Sequence, residues 1–254
     1  MKILDRIREH AYTHGYTCDA CGAELFGYYP QRLCDTCLQK LVKNDERTCP
    51  KCGRHTRALG VCLVCKSRMP KFAKGFSPFV YRGAGALQIN RMKNGARRLS
   101  FFFGEQIAEY FLQAFDAWEG ADKPVLTGET AVIAYAPVSA ERLRERGYNQ
   151  AYDLAFAFQQ RLMQSGIDLP LCKDVLTLNR TLHLQKELKR GERVRNVKGA
   201  YHVKQRAVCK GKIVFLIDDI MTTGATGSEC ADALMRAGAR AVLFLTAVSL
   251  EEEP

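Results

Sequence analysis

The sequence predicts an α/β protein, in which a mostly parallel sheet is flanked by helices and preceded by a small cysteine-rich segment. Apolar strand-like stretches alternate with helical stretches from residue 131 onward. Eight of the eleven cysteines fall between Cys18 and Cys65. An apolar stretch also runs directly into two adjacent carboxylates, Asp218 and Asp219. We therefore divide the chain into a cysteine-rich segment, 1–70, and an α/β domain, 71–254.

Alternation of strands and helices predicts the sheet. Strands are predicted at 131–137, 212–217 and 241–249, a helix at 227–237, and a loop at 181–201. Two helical stripes of apolar residues are predicted to face the core. They are Phe103, Ile107, Phe111, Phe115 and Trp118, and Ala151, Leu154, Ala155, Phe158 and Leu162. In such folds ligands bind beyond the carboxyl ends of the strands.

The net charge of +11 is distributed unevenly along the 254 residues. Residues 71–100 carry seven Lys or Arg and no acid, and residues 177–212 carry eleven against two acids. Such local basic surfaces are typical of proteins that handle phosphates or nucleic acid, although a basic cluster can also be simply a solvated face.

The chain has no apolar run of the length that a membrane span needs, and its opening MKILDRIREH is charged. We therefore expect a cytoplasmic protein without membrane insertion. A reducing compartment favours metal ligation or free thiols over disulfides.

The clustered cysteines form four Cys-x-x-Cys pairs, which predict two structural zinc sites. Each pair places two sulfurs on one side of a tight turn, and two such turns complete a tetrahedral site. Iron–sulfur ligation and disulfides are the alternatives. We assume sequential pairing, while a cross-braced arrangement stays open. The ligands are Cys18, Cys21, Cys34 and Cys37 for one site, and Cys49, Cys52, Cys62 and Cys65 for the other.

Residues 214–226, VFLIDDIMTTGAT, carry the clearest chemical signal. Small residues with free amides at a helix N-terminus can bind an anion, and threonine hydroxyls add donors. Carboxylates directly upstream can accept hydrogen bonds from sugar hydroxyls. The combination predicts a sugar-phosphate site, with an ordinary strand–turn–helix junction as the alternative.

This stretch resembles the phosphoribosyl pyrophosphate motif of type I phosphoribosyltransferases. The resemblance implies that Asp218 and Asp219 bind the ribose hydroxyls. It also implies that the 5′-phosphate lies in a loop formed by Thr222, Thr223, Gly224, Ala225 and Thr226.

Further stretches resemble the ComF/GntX family of competence proteins. They are INRMKNG at 89–95, APVSAERLRERGYNQA at 136–151, LKRGERVRNVKGAY at 188–201 and the cysteine segment. The resemblance implies a pyrophosphate loop containing Arg144, Arg146, Asn149 and Gln150, and a catalytic loop containing Arg190, Arg193 and Arg195.

If the chain is an enzyme, the resemblance implies displacement of pyrophosphate from C1 of phosphoribosyl pyrophosphate, with magnesium bound to the diphosphate. Asp218, Asp219 and the three loop arginines would be catalytic, and no residue identifies the acceptor. The family also implies a role in DNA uptake during natural transformation, with single-stranded DNA and competence helicase-type proteins as partners.

The alternative is a single-stranded nucleic-acid-binding zinc protein in which the phosphoribosyltransferase fold is a non-catalytic ligand sensor. Its charged surface would lie in 71–98, where aromatic residues could either stack on bases or belong to the core. The cations are Lys71, Lys74, Arg82, Arg91, Lys93, Arg97 and Arg98, and the aromatic residues are Phe72, Phe76, Phe79 and Tyr81.

Overall fold

The computed structural model describes residues 16–25, 33–44, 47–120, 123–178 and 199–252. In chain order the strands are β1 (Tyr16–Thr17), β2 (Glu24–Leu25), β3 (Lys74–Phe76), β4 (Phe79–Val80), β5 (Ala131–Tyr135), β6 (Leu176–Leu178), β7 (Tyr201–Val203), β8 (Ile213–Met221) and β9 (Ala241–Ser249). The helices are α1 (Asp35–Gln39), α2 (Leu63–Ser67), α3 (Gly83–Lys93), α4 (Arg98–Asp116), α5 (Ala140–Arg146), α6 (Gln150–Gln164), α7 (Arg206–Cys209) and α8 (Ala225–Arg236).

The main sheet is parallel, as predicted. Its order is β3–β9–β8–β5, and β4 also pairs with β9. Two short antiparallel pairs, β1–β2 and β6–β7, lie outside it. None of the described helices combines the length and the apolar character that a membrane span requires.

Alternation along β8 divides the buried residues between the two faces of the sheet. Ile213, Phe215 and Ile217 pack with α4 and α6, whereas Val214 and Leu216 pack with α8. The predicted stripe of α6 is confirmed, since all five of its residues are buried. In the other predicted stripe, Trp118 lies beyond the end of α4.

Several sequence-based boundaries differ from the structure. Strand β8 runs through Asp218 and Asp219 to Met221 instead of ending at 217, because β9 continues to pair with it as far as Met221–Ser249. Helix α8 begins at Ala225, two residues before the predicted start. Tyr201, placed in the predicted loop, opens β7, while residues 181–198 of that loop lie outside the described residues.

The cysteines group in sequential order. Within each quartet the Sγ atoms lie within 4.8 Å of one another, and the quartets are Cys18, Cys21, Cys34 and Cys37, and Cys49, Cys52, Cys62 and Cys65. Tetrahedral Zn–S bonds of about 2.3 Å would place the sulfurs about 3.8 Å apart. The Sγ–Sγ distance is 3.8 Å between Cys21 and Cys34 and 3.7 Å between Cys52 and Cys62. Both clusters therefore fit zinc, and their pairing is sequential.

The two clusters, which we call the first and second cysteine clusters, share a local backbone design. Gly22 and Gly53 each follow a knuckle with positive φ, and their amides donate to the carbonyl oxygens of Cys18 and Cys49 at 2.8 Å. They differ in burial, because all four cysteines of the second cluster are buried whereas Cys21 is exposed.

Both clusters pack against the α/β part of the chain. Cys18 and Cys37 share a buried group with the α4–α6 face of the sheet, and the second cluster shares one with the α8 face. The division of the chain at residue 70 stays a prediction, and the contacts across it are extensive.

We predict that protein purified without chelator carries two equivalents of zinc per chain. Replacement of one ligand by serine should remove about one equivalent, and Cys52→Ser should lower the free energy of unfolding more than Cys21→Ser because its cluster is buried. Metal analysis and denaturant unfolding measure both effects. Metal-free protein with full stability would contradict the assignment.

A second prediction separates conformational strain from steric overlap. Gly53→Ala places a Cβ that overlaps the carbonyl oxygen of Gly75, whereas Gly22→Ala meets no atom within 4 Å at a similar φ. We expect Gly22→Ala to lower the free energy of unfolding by about 1 kcal/mol and Gly53→Ala by about 3 kcal/mol. Equal losses in urea unfolding would show that the approach to Gly75 carries no steric cost.

Candidate functional site

The acidic pair lies where β8 extends past its neighbour β5. Tyr135, the last residue of β5, pairs with Ile217, so Asp218 and Asp219 stand beyond the end of β5 while β9 still supports them on the other side. The amide of Asp219 donates to Oδ1 of Asp218 at 2.9 Å. The sheet thus presents two carboxylates at its carboxyl edge, the position predicted for ligand binding.

The two carboxylates have different partners. Asp219 Oδ2 forms an ion pair with Lys93 Nζ at 3.1 Å, and the two side chains are only 14% and 22% exposed. Asp218 lies near Cys230 and Tyr201, whose pKa values its charge raises in addition to the effect of burial. Asp219 is therefore already charge-compensated, whereas Asp218 is the less compensated member of the pair.

Burial raises the pKa of Asp218 to about 7, and the charge of Asp219 adds to this effect. The amide of Asp219 and the cations Lys93 and Arg142 oppose the shift. A carboxyl that titrates near neutral pH at the edge of a parallel sheet is a common feature of functional sites. Added positive charge or hydrogen-bond donors would favour its ionised form.

The predicted phosphate loop, residues 222–226, consists of a bend at 222–224 and the first two residues of α8. Gly224 has φ of +74° at the helix N-cap, a conformation that glycine adopts readily. Thr223 Oγ1 accepts from the amide of Ala225 at 3.3 Å. The first turn of this 12-residue helix offers backbone amides to an anion.

The backbone of this turn is held from the cysteine-rich segment. Nη2 of Arg54, a side chain that is 1% exposed, donates to the carbonyl oxygen of Thr222 at 2.8 Å. Nε of the same guanidinium donates to Sγ of Cys52 at 3.3 Å. One buried side chain thus contacts both the second cysteine cluster and the predicted phosphate loop.

The predicted pyrophosphate loop follows β5. Arg144 and Asn149 line a cleft of about 910 Å³ between this loop and β6, together with Tyr135, Tyr152, Lys173 and Lys204. Asn149 also caps α6, since its side chain accepts from the amide of Ala151 at 3.0 Å. Gln150 is buried and accepts from Arg146 Nη1 at 3.1 Å. These hydrogen bonds order the loop, and the assignment of its side chains to pyrophosphate stays a prediction.

Arg190, Arg193 and Arg195 of the predicted catalytic loop lie outside the described residues. The described ends of that loop are β6 and β7, which pair with each other beside the cleft. The catalytic assignment of the three arginines stays a prediction.

Sequence reasoning did not assign three basic residues to the acidic pair and the turn. Lys93 lies one helical turn after the buried Ile89, so it stands at the end of a buried stripe on α3. This spacing is visible in the sequence and could have been used to predict that Lys93 faces the site. Arg142 lies two positions before the predicted Arg144 and lowers the pKa of Asp218. Arg54 contacts a residue 168 positions away, and no local pattern signals such a contact.

Several residues of the predicted nucleic-acid surface have other partners. Phe72, Phe76 and Phe79 are buried, so they belong to the core. Three of the cations form ion pairs: Arg97 with Asp153 at 2.6 Å, Arg82 with Glu251 at 3.4 Å, and Lys93 with Asp219. Lys71, Lys74, Arg91 and Arg98 are exposed. The stretch is thus a charged surface in which these phenylalanines cannot stack on bases.

Comparison with known proteins identifies relatives across most of the chain, although no family model matches. Competence protein ComFC of Bacillus subtilis (strain 168) is 26% identical over 209 residues, which cover 82% of this chain and 80% of that protein. DNA utilization protein YhgH of Escherichia coli (strain K12) is 26% identical over 222 residues, which cover 83% of this chain and 87% of that protein.

Solved structures align less well. A glutamine phosphoribosylpyrophosphate amidotransferase from B. subtilis gives a TM-score of 0.33 at 17% identity, and the match covers 57% of this chain and 25% of that one. The protein TT1426 from Thermus thermophilus gives a TM-score of 0.32 at 16% identity, with coverage of 61% and 85%. These scores are too low to decide the fold, which is established by the strand order above. The similarity to ComFC confirms the resemblance to ComF competence proteins that the motifs predicted, and YhgH adds a relative named for DNA utilization.

Proposed function

We propose that this chain binds phosphoribosyl pyrophosphate at the carboxyl edge of β8 and serves in the use of DNA, as the names of its relatives indicate for those proteins. One observation carries the proposal. The acidic pair stands beyond β5 and is followed, within the same hydrogen-bonded strand and turn, by the N-terminus of α8. A pentose and a phosphate ester on it are recognised by those two features together.

Charge supports this ligand class. Asp218 and Asp219 can accept hydrogen bonds from vicinal hydroxyls, while the amides of the turn and the dipole of α8 favour the phosphate. Lys93, Arg142 and Arg144 lie on the elements around the pair and the loop after β5. This arrangement matches a ligand with a neutral sugar between two anionic groups.

The corresponding reaction is the displacement of pyrophosphate by a nitrogen nucleophile at C1 of the ribose. The protein groups would position the sugar and neutralise the leaving diphosphate, whose charge increases as the bond breaks. The oxygen-rich pair also suits Mg²⁺, which when bound would neutralise part of the diphosphate charge. Whether the site turns its ligand over is tested by pyrophosphate release in the presence of candidate amines.

A second candidate function is binding of single-stranded DNA without turnover of the sugar-phosphate ligand. The relatives' names and the exposed cations of residues 71–98 favour it. Because the phenylalanines of that stretch are buried, such binding would depend on charge and fall steeply with salt. It would also survive changes in the acidic pair.

Calorimetric titration with phosphoribosyl pyrophosphate and Mg²⁺ tests the proposal. We expect saturable binding to wild type and at least tenfold weaker binding to the double variant Asp218→Asn, Asp219→Asn, since both hydrogen-bond acceptors lose their charge. Asp232→Asn is the matched control, because Asp232 lies further along α8 and pairs with Arg236. Equal heats for wild type and the double variant would remove the site assignment.

The raised pKa of Asp218 predicts a pH effect on the ligand-free protein. A carboxyl with a pKa of about 7 holds its proton longer in the folded than in the unfolded chain. The stabilisation that the protonated Asp218 gives the folded chain is complete below about pH 4. It is lost as the pH rises through about 7. The free energy of unfolding of Asp218→Asn should therefore rise relative to wild type by about 3 kcal/mol between pH 5 and pH 8.

Thermal unfolding at both pH values measures this gain. If the difference in stability between wild type and Asp218→Asn is the same at pH 5 and pH 8, the pKa of Asp218 is not raised.

A further inference from the structure

Arg54 joins two parts of the molecule that are far apart in sequence. Its side chain is 1% exposed and makes two directed hydrogen bonds, to the sulfur of Cys52 at 3.3 Å and to the carbonyl oxygen of Thr222 at 2.8 Å. Because a guanidinium is planar and rigid, the position of one partner restricts the position of the other. Lysine, with a single point of charge, cannot reproduce this geometry.

The bond to Thr222 also fixes the direction of an amide. The carbonyl of Thr222 and the N–H of Thr223 belong to one planar trans peptide, so they point in opposite directions. As Arg54 holds the carbonyl, the N–H of Thr223 is turned away from Arg54. This amide belongs to the predicted phosphate loop, so Arg54 contributes to its orientation without touching a ligand itself.

The charge of Arg54 needs a buried anion. Among the residues that the structure describes, no carboxylate forms an ion pair with it, and its Nη1 has no hydrogen-bond partner. Zinc bound to four thiolates carries a charge of −2, and the second cysteine cluster fits that ion. The loaded cluster can therefore act as the counter-ion of Arg54.

Other contacts hold the second cluster in the same place. The amide of Leu63, at the start of α2, donates to Glu252 Oε1 at 2.6 Å and so ties the cluster to the chain beyond β9. Just after the cluster, the amide of Lys71 donates to Ser228 Oγ of α8 at 3.1 Å. The first cluster makes contacts elsewhere, with Gln88 and Arg91 of α3 donating to its backbone at 3.3 Å.

We propose that Arg54 is a positioning residue through which metal occupancy of the second cysteine cluster orders the turn at 222–226. The first cluster does not share this role. The statement about the turn concerns the ligand-free protein, and only its consequence for ligand affinity rests on the proposed function.

The test uses the full-length, metal-loaded chain without ligand. Arg54→Met removes both hydrogen bonds, Arg54→Lys keeps the charge, and Arg47→Met is the matched control, because Arg47 donates to the carbonyl oxygen of Arg57 within the same segment. Two signals are followed. Cobalt substitution reports the thiolate charge-transfer bands. Amide exchange is followed at Ala225 and Ser228, whose amides donate to Thr223 Oγ1 at 3.3 Å and to the carbonyl oxygen of Gly224 at 2.9 Å.

In Arg54→Met we expect shifted cobalt bands and exchange at these two amides at least tenfold faster, while the central strands keep their protection. The cobalt bands and the exchange rates of Arg54→Lys should lie between those of wild type and Arg54→Met. If Arg54→Met does not fold, Arg54→Lys alone tests the proposal. Wild-type exchange and an unchanged cobalt spectrum in Arg54→Lys would overturn the proposal. So would a loss of protection spread evenly over the sheet, since that would indicate general destabilisation.

Titration with phosphoribosyl pyrophosphate separates this inference from the proposed function. If wild type binds the ligand, Arg54→Lys should bind it about tenfold more weakly although the acidic pair is intact. Unchanged affinity in that variant would overturn the consequence for ligand binding. If wild type does not bind it, the proposed function fails, while the exchange and cobalt results still decide the role of Arg54.

Discussion

The unequal reach of the strands that flank β8 is the constraint on which the site depends. On one side β9 pairs with β8 as far as Met221, and on the other β5 stops opposite Ile217. The acidic pair therefore lies on a strand that is held by β9 on one side and is no longer paired with β5 on the other. The amide of Ala136 donates to the carbonyl oxygen of Ile217 at 2.9 Å and turns the chain toward the loop and α5. A binding edge and the loop that lines its cleft thus arise from a single difference in strand length.

The cysteine-rich segment packs against the sheet and does not stand apart from it. Its two clusters share buried residues with opposite faces of the sheet, and neither cluster offers an open coordination position to a substrate. The metal sites therefore have a structural role. The second cluster also supports the backbone at the carboxyl edge of β8, because Arg54 donates hydrogen bonds to both Cys52 and Thr222.

Most of the fold could be predicted because it depends on local patterns. The stripe of α6 and the strand at 241–249 follow hydrophobic periodicity, and the cysteine pairs follow ligand spacing. The end of β8 could not be predicted this way. Polar residues at 218 and 219 look like a strand end, and only the pairing with β9 shows that the strand continues. The local geometry of the central motif was likewise predictable, since a bend at 222–224 with positive φ at Gly224 leads into α8, while the binding roles of its residues stay a prediction. Its surroundings were predictable only in part, because tertiary structure alone brings Arg142 and Arg54 there.

The central claim is that the acidic pair and the turn after it bind one sugar phosphate together. A two-dimensional amide spectrum of the zinc-loaded protein, titrated with ribose 5-phosphate, tests it most directly. The account predicts that the amides of Thr223 to Thr226 and of Asp219 shift in parallel with a single affinity. Shifts confined to the exposed basic surface of residues 71–98, with the turn unaffected, would contradict it.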